Sequence, residues 1–278
     1  MAASQTGFCR AMRTYEEYKR ILQLWEQGYS KLAISEKLDI PRGTVIDCIR
    51  RYQSVDHLDQ LTKQNLRLVR ILTLYEPDSN GIRETYAYVL GIYLGDGSIS
   101  IVRKTPRLRI TLDAKYPRII EECRTKLQKL LPENEIGIVK RLYNGKVSCV
   151  DVSSFYKYWS DVLPQDAPGK KHERPIVLTD WQQHIVRCYP LNFFRGLYHS
   201  DGSRFDNVVN GKAYPRYQFT NCSNDIAKLF TDTCDRLGLH WTSKIRPAKN
   251  PSHMTANDIY ISKRRDVEYL DRVIGPKA

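Results

Sequence analysis

The sequence predicts an α+β protein in two parts: an all-α N-terminal unit, followed by a pseudo-twofold duplicated unit of order αββαββα. Three observations predict it. Apolar residues recur at helical spacing through the first 57 residues, and alternation at strand spacing begins only well beyond them. The string at Ala87–Ser98 returns 105 residues later at Asn192–Ser203. The 278 residues are 41% hydrophobic, enough to bury a substantial core and too apolar for disorder.

Composition narrows the function before any motif does. No apolar run approaches the roughly 18 residues of a spanning helix, which excludes a transmembrane protein, and the first residues, MAASQTGFCRAMRTYEEYKR, contain no stretch of signal-peptide character. The seven cysteines, at positions 9, 48, 123, 149, 188, 222 and 234, are odd in number, widely spaced and without a C-x-x-C. They are expected to be reduced thiols in a cytoplasm rather than a disulfide framework or a structural zinc site. With 44 Lys and Arg against 31 Asp and Glu, the formal charge is +13. Nine basic and seven acidic residues in 1–57 leave +2 there and +11 for 58–278, so the main polyanion surface is expected in the second part.

From Tyr15 to Glu26, the residues Tyr18, Ile21, Leu22, Leu24 and Trp25 fall near helical spacing, and Gly28 ends the run. Ser30 is a good N-cap for a second, short helix containing Ile34 and Leu38, after which Asp39-Ile40-Pro41 turns the chain. A third helix is expected from Arg42 through Val45, Ile49 and Tyr52. The string Gly28-Tyr29-Ser30, Ile34-Ser35-Glu36-Lys37-Leu38-Asp39-Ile40-Pro41 and Thr44-Val45 resembles the helix-turn-helix of resolvases and sigma-like regulators. It departs from them at Ser35, where Ala is usual, and at Asp39, where Gly is usual. The resemblance implies that the third helix enters the major groove with Arg42, Gly43, Ile46, Asp47 and Arg50 exposed, and with Arg42, Ile46 and Arg50 contacting DNA. Arg51 is a further phosphate contact, whereas Asp47 would repel phosphate and needs a cytosine amino group or a capping role. The alternative is a three-helix bundle that binds protein or nothing. From His57 to about Glu76, Leu58, Leu61, Leu66, Val69 and Leu72 suggest a connecting helix, and Pro77–Gly81 reads as a boundary loop. The expected division is therefore 1–57 for the helical domain and 58–83 for the connection.

The two copies of the repeat are Ala87-Tyr88-Val89-Leu90-Gly91-Ile92-Tyr93-Leu94-Gly95-Asp96-Gly97-Ser98 and Asn192-Phe193-Phe194-Arg195-Gly196-Leu197-Tyr198-His199-Ser200-Asp201-Gly202-Ser203. Each reads as an apolar helix with two small residues four apart, Gly91/Gly95 and Gly196/Ser200, closed by Asp-Gly. Small residues at i and i+4 share a face and let two helix backbones approach. Packed in parallel, the helices bring Asp96 and Asp201 together at their C-terminal ends. A single Asp-Gly is ordinarily a turn in which Gly supplies the left-handed conformation; its return after the same helix, and before the same kind of strand, marks it out. Arg107–Leu112 and Arg216–Thr220 alternate polar and apolar at strand period. Helices are expected at Pro117–Leu131 and Asn224–Leu237, the latter capped by Ser223. Further strands are expected at Gly137–Tyr143 and Lys146–Val152, and at Trp241–Arg246 and Asp258–Ser262. The first repeat thus spans 84–164, a basic linker and helix 165–189, and the second repeat 190–278.

Over about residues 84–278 the chain resembles the LAGLIDADG homing endonucleases in their single-chain, two-motif form. Helix-turn-helix first and duplicated unit second is also the order of a group of bacterial proteins with a LAGLIDADG-like domain. The resemblance implies a pseudo-twofold saddle whose two antiparallel sheets straddle double-stranded DNA, with the motif helices at the interface between the halves. The family's metal-binding acid, the last Asp of the motif, falls on Asp96 and Asp201; its earlier Asp is replaced by Leu94 and His199. A hard Mg²⁺, or Mn²⁺, suits such a site because it takes oxygen ligands from one or two carboxylates, waters and the phosphate. His199 reads more readily as a helix-packing or solvated residue than as a base.

In Gly169-Lys170-Lys171-His172-Glu173-Arg174-Pro175, Lys170 or Lys171 stands where the family places a lysine that stabilises transition-state charge, and Lys277 is its weak counterpart. A plain basic linker is the alternative. Asp113 and Asn221 are further polar candidates at the site. DNA contacts are expected from Arg107, Arg109, Thr111, Arg216 and Gln218, with Lys140 and Lys244 on the later strands. The expected protein is a monomer in the cytoplasm, associated with the nucleoid. Two functions compete: a metal-dependent, sequence-specific DNA endonuclease, and a non-cleaving transcriptional regulator on a repurposed scaffold. An RNA-splicing maturase has the same basic surface and no separate support.

Overall fold

The structure is a computed structural model that describes residues 15–73, 80–164, 170–248 and 255–277. Cys9 and the other residues before Tyr15, residues 77–79 of the boundary loop, and Gly169 of the basic linker lie outside the described residues. The chain divides into two compact units, with the division after Arg67.

The first unit contains α1 (Tyr15–Glu26), α2 (Lys31–Leu38), α3 (Arg42–Tyr52) and the start of α4 (Val55–Thr73), a helix that continues across the division. Ile21, Leu22, Ile34, Val45, Cys48, Ile49 and Leu58 form its core. The Ser30 hydroxyl caps α2 by accepting from the Ala33 N–H at 3.2 Å. The two departures from the helix-turn-helix pattern have local explanations. Asp39 adopts the left-handed conformation (φ 50°, ψ 47°) in which Gly is usual and Asp is tolerated, and the Ser35 hydroxyl donates to the Ile40 carbonyl at 2.6 Å, bracing the turn. Arg42, Gly43, Asp47 and Arg50 are exposed and Ile46 is half-buried. Arg50 bonds Asp47 at 2.7 Å, so part of each charge is met within the helix. The side chain of Arg51 lies outside the described residues.

In the second unit each repeat builds one four-stranded antiparallel sheet. The first contains α5 (Ile82–Asp96), β1 (Gly97–Val102), β2 (Thr105–Asp113), α6 (Pro117–Leu130), β3 (Gly137–Tyr143), β4 (Lys146–Phe155) and a single-turn α7 (Trp159–Val162). A 3₁₀ turn at Lys171–Glu173 and α8 (Asp180–Cys188) lead to the second: α9 (Pro190–Asp201), β5 (Gly202–Val209), β6 (Lys212–Asn221), α10 (Asn224–Arg236), β7 (Trp241–Arg246), β8 (Ala256–Ile261) and α11 (Arg264–Val273). The sheet orders, β1-β2-β4-β3 and β5-β6-β8-β7, are the same. This is the α+β duplication that the sequence predicts. It differs in the last helix of the first repeat, which is four residues long against ten in the second.

Alternation along the strands assigns the sheet faces. In β2, Leu108, Ile110 and Leu112 are buried while Arg107, Arg109 and Thr111 lie on the other, half-exposed face. Paired residues of antiparallel strands share a face, so Leu108, Ile110, Val150 and Val152 line the core side with Cys123 and Leu127 of α6. Tyr217, Phe219, Ile259 and Ile261 do the same in the second sheet, where the Phe219 and Phe230 rings stack with centroids 4.2 Å apart.

Candidate metal and nucleic-acid site

The site follows from how α5 and α9 pack. A Cβ on Gly91 would lie 2.5 Å from the Phe193 carbonyl oxygen and 2.8 Å from the Leu197 nitrogen, and one on Gly196 would lie 2.8 Å from the Ile92 nitrogen. Two helix backbones are therefore in direct contact, which only glycine permits. The seam continues through Gly95, where a Cβ would collide with Ser200 and stand 2.7 Å from an Asp201 carboxylate oxygen. Asn192 donates to Glu84 at 3.0 Å across the helices, and Arg195 binds Glu122 of α6 through two 2.9 Å bonds, tying the second repeat to the first.

Both helices end on their aspartates. The following glycines are not left-handed, contrary to the ordinary Asp-Gly turn: Gly97 (φ −89°) and Gly202 (φ −86°) are extended and start their strands. Glycine is needed there for space, since a Cβ would lie 2.7 Å from the Tyr93 Cα and 2.6 Å from the Tyr198 carbonyl oxygen. The acids leave the helix ends together in a largely dry place. Burial first, and the Asp201 carboxylate second, raise Asp96 to about 7, with Lys277 and Lys171 acting in the opposite sense. Burial also raises Asp201, against the hydrogen bond from Asn221 and the two lysines.

Lys171 and Lys277 complete the quartet. The Lys171 ammonium donates to the Tyr93 carbonyl, to Gly95 O at 3.1 Å and to Gly97 O at 2.5 Å, and lies 4.6 Å from the centroid of the Tyr93 ring. Lys277 donates to Ser200 O at 2.7 Å and lies between the Tyr116 and Tyr198 rings, 5.6 and 5.8 Å from their centroids. Gly95 and Ser200 hold equivalent places in the repeat, so the lysines are symmetric partners. Burial pushes each down to about 8 against the pull of both carboxylates. Lys170 is not part of this group; it is exposed and pairs with Glu173 at 3.3 Å.

Of the further polar candidates, Asn221 donates to Asp201 at 2.8 Å, while Asp113 faces outward and pairs with Lys115 at 2.8 Å. The two are not equivalent: the register opposite β4 and β8 pairs Leu112 with Val150 and Asn221 with Asn257, which makes Leu112 the counterpart of Asn221. His199 is buried, with its Nδ1 3.0 Å from the Tyr88 hydroxyl, and burial pushes it down to about 3. It is a neutral packing residue. Leu94 is fully buried.

The expected DNA-contacting residues divide by face. Arg107, Arg109 and Thr111, and likewise Arg216, Gln218 and Lys244, lie on the polar faces of their sheets. Lys140 pairs with Val150 and so belongs to the opposite face of its sheet, which removes it from that group. The Nε atoms of Arg107, Arg109 and Arg216 are buried without a protein hydrogen-bond partner. Sequence reading missed a buried acid in the middle of each polar face. Asp151 accepts from Thr111 at 2.7 Å and from Arg141 Nε at 2.7 Å; Asp258 accepts from Thr220 at 2.7 Å and pairs with Arg246 at 3.2 Å. The Thr, Arg and Asp of each group lie on three different strands, so no local spacing marks them, but aligning the strands by register finds both triads.

Hard oxygen donors define what the helix ends suit. Two carboxylates and the carbonyls of Gly95 and Ser200 match a small divalent cation in chemistry, and the mutual repulsion at Asp96 and Asp201 is what such a cation relieves. Among the described residues, no group of three or more His, Cys, Asp and Glu side chains could hold a metal, so further ligands would have to come from backbone, water or phosphate. The six described cysteines are free, and no helix among the described residues is long and apolar enough to cross a membrane.

In fold the chain resembles solved LAGLIDADG proteins. These include the homing endonuclease I-DmoI in complex with DNA and Mn (16% identity, 70% of this chain and 97% of that one, TM-score 0.46). They also include the N-terminal LAGLIDADG domain of DUF199/WhiA (14% identity, 78% and 90%, TM-score 0.44) and the homing endonuclease I-WcaI bound to its DNA recognition sequence (14% identity, 74% and 92%, TM-score 0.42). No protein-family model and no curated protein matches the sequence. Likeness at this level is one of fold and assigns no residue a role.

Proposed function

We propose that the chain is a sequence-specific DNA-binding protein of the LAGLIDADG homing endonuclease type, hydrolysing phosphodiester bonds of duplex DNA with Mg²⁺ or Mn²⁺. The observation that carries this reading is the pair of half-buried carboxylates, Asp96 and Asp201, delivered side by side by two helices whose backbones touch. A binding-only scaffold has no chemical need for an acid at both symmetric positions. Asp96, Asp201 and the Gly95 and Ser200 carbonyls would hold the metal, which when bound activates water and stabilises a leaving oxygen. Lys171 and Lys277 place positive charge beside the same point, where charge on a scissile phosphate develops. Asn221 orients Asp201. The two polar strand faces supply the duplex contacts, because their half-exposed Arg, Gln and Thr side chains can donate to phosphate or base-edge acceptors. α3 adds contacts through Arg42, Ile46 and Arg50. Since one chain carries both halves, it acts as a monomer on a two-sided, imperfectly symmetric site, in association with the nucleoid.

One observation favours the non-cleaving regulator instead: two lysine ammonium groups already stand beside the two carboxylates and offset their charge without metal. A selection for metal-dependent cleavage on random duplex DNA decides between them. Recovery of a cut site in Mg²⁺ or Mn²⁺ supports the nuclease. A protein that binds a defined duplex tightly and leaves it intact through both titrations is the regulator. Deletion of residues 1–57 is expected to leave substantial, salt-sensitive binding, measured by fluorescence anisotropy; a truncated protein that ignores DNA at low salt removes the strand faces from the interface.

A further inference from the structure

We propose that Lys171 is a built-in cation that occupies the divalent-metal seat of the α5 half, so that metal enters beside Asp96 only when the Lys171 ammonium leaves the Tyr93, Gly95 and Gly97 carbonyls for a neighbouring position at the site. The inference deepens the reading of Asp96 and Asp201 as metal ligands and rests on it.

The Lys171 ammonium has three acceptors, the carbonyls of Tyr93, Gly95 and Gly97, all at the end of α5 next to Asp96. A helix C-terminus carries negative partial charge and so attracts a cation, although the Tyr93 carbonyl also accepts from the Gly97 N–H. Lysine satisfies this demand with three donors on a point charge, and one of its acceptors, Gly95 O, is an oxygen that the metal would take. The Tyr93 ring lies beside the ammonium, and its face favours a cation as well. Seat and acid cannot both be shared at close range: a divalent ion and an ammonium on the same carbonyl oxygens repel each other in a region of low dielectric.

The two halves are not equally closed. Among the described residues Lys277 donates to one carbonyl, Ser200 O, where Lys171 donates to three, and it reaches the site from a position beyond α11. Lys171 lies in the segment between the repeats, on a 3₁₀ turn whose N-cap and third position are linked through Lys170 and Glu173. Its withdrawal is the costlier of the two. If the lysine-filled state dominates in the free protein, the apparent affinity for metal falls by the fraction of molecules with an open seat.

Binding of Mn²⁺ to the free, full-length protein, followed through the electron paramagnetic resonance signal of the unbound ion, tests this without any cleavage readout. Lys171→Met is expected to bind Mn²⁺ about ten-fold or more tightly than the unsubstituted protein, and the gain is expected to vanish in the Lys171→Met, Asp96→Asn double variant. An equal or weaker Mn²⁺ affinity in a Lys171→Met protein that melts normally overturns the proposal. Reductive methylation of the unsubstituted protein, mapped by mass spectrometry, needs no variant. Lys171 is expected to react more slowly than exposed Lys170 in the absence of metal, and faster when Mn²⁺ is added. Equal labelling of the two lysines without metal, or no change at Lys171 on adding Mn²⁺, also overturns it. A Lys171→Met protein that takes up Mn²⁺ more tightly while neither protein cuts any DNA sustains this inference and removes the nuclease reading.

Discussion

The two repeats share a skeleton and differ at their helix ends and on the polar faces of their sheets. Their common part is apolar and steric: Gly91 against Gly196 at the seam, glycines 97 and 202 in the tight exit from each helix, and matching sheet orders. The differences sit on the helix ends and polar faces. Asn221 bonds Asp201, and its counterpart Leu112 offers Asp96 nothing. Arg109 and Gln218 hold equivalent places opposite Ser98 and Ser203, and Val139 and Lys244 hold equivalent places opposite Asp151 and Asp258. A duplicated chain must keep its backbone contacts symmetric, because both helices make the same seam, but each half is free to face a different half of its partner.

The largest effect is expected at the acids. If each half serves one strand, Asp96→Asn or Asp201→Asn lowers double-strand cleavage by roughly 100-fold or more, as loss of a key electrostatic group typically does, while nicked product persists. Supercoiled plasmid carrying the selected site separates nicked from linear product. Complete loss of nicking in both variants means the two halves act as one centre and breaks the comparison.

At the seam the halves are expected to respond alike. Gly91→Ala and Gly196→Ala each push a Cβ into the opposite backbone, so each is expected to destabilise the fold by about 1–3 kcal/mol, the usual cost of overpacking. Urea denaturation measures it. If one substitution is tolerated and the other is not, the helices are not packed with the symmetry that the contacts imply.

A smaller, pH-dependent effect should distinguish Asp96. Its carboxyl is raised to about 7, so its contribution to stability is fully present below an ordinary carboxylate pKa and is lost as pH rises through about 7. Lys171 and Lys277, lowered to about 8, show the reverse: their contribution is present above an ordinary lysine pKa and lost as pH falls through about 8. Between pH 7 and 8 Asp96 and both lysines are mostly in their charged forms, and their desolvation costs the most there. Asp96→Asn is therefore expected to melt higher than the unsubstituted, metal-free protein at pH 8, by a few degrees at roughly 2–4 °C per kcal/mol, with the gain shrinking toward pH 5. A difference that does not change with pH means that Asp96 is not desolvated in the way described.

Much of this was legible in the sequence because it is written in periods. The strands at Gly137–Tyr143 and Trp241–Arg246 fall on the expected residues, and α3 on Arg42–Tyr52, since apolar spacing and capping are local signals. The pairing of Asp96 with Asp201, and the role of the small residues, followed from an internal repeat that keeps Gly91/Gly196 and the Asp-Gly-Ser ending. What was not legible depends on which side chains meet across the fold. The buried Asp151 and Asp258, each held by a Thr and an Arg from neighbouring strands, are indistinguishable in sequence from exposed acids. Lys140 looked equivalent to Lys244, but one residue of register puts a strand's side chain on the other face. Choosing Lys171 over Lys170 likewise needed the 3₁₀ turn that sends one inward and the other into solvent.

The smallest effect concerns how the halves divide their charge. The first repeat carries Arg109 with Val139, and the second Gln218 with Lys244, so each polar face keeps one cation of this set at a different place on the sheet. If both cations meet phosphates, Arg109→Gln and Lys244→Val each lower the slope of log affinity against log salt by about 0.9, the value for one released counterion on duplex DNA. The sequence preference would then stay as it was. If Arg109 instead reads a base edge, its substitution relaxes preference at one position and costs on the order of 1–3 kcal/mol on the selected site, while Lys244→Val still acts through the slope alone. Anisotropy titrations at several salt concentrations, on the selected duplex and on single-base variants, separate these outcomes. Unchanged slope and unchanged preference for both variants would place this pair of residues away from DNA, and the polar faces would have to be reassigned.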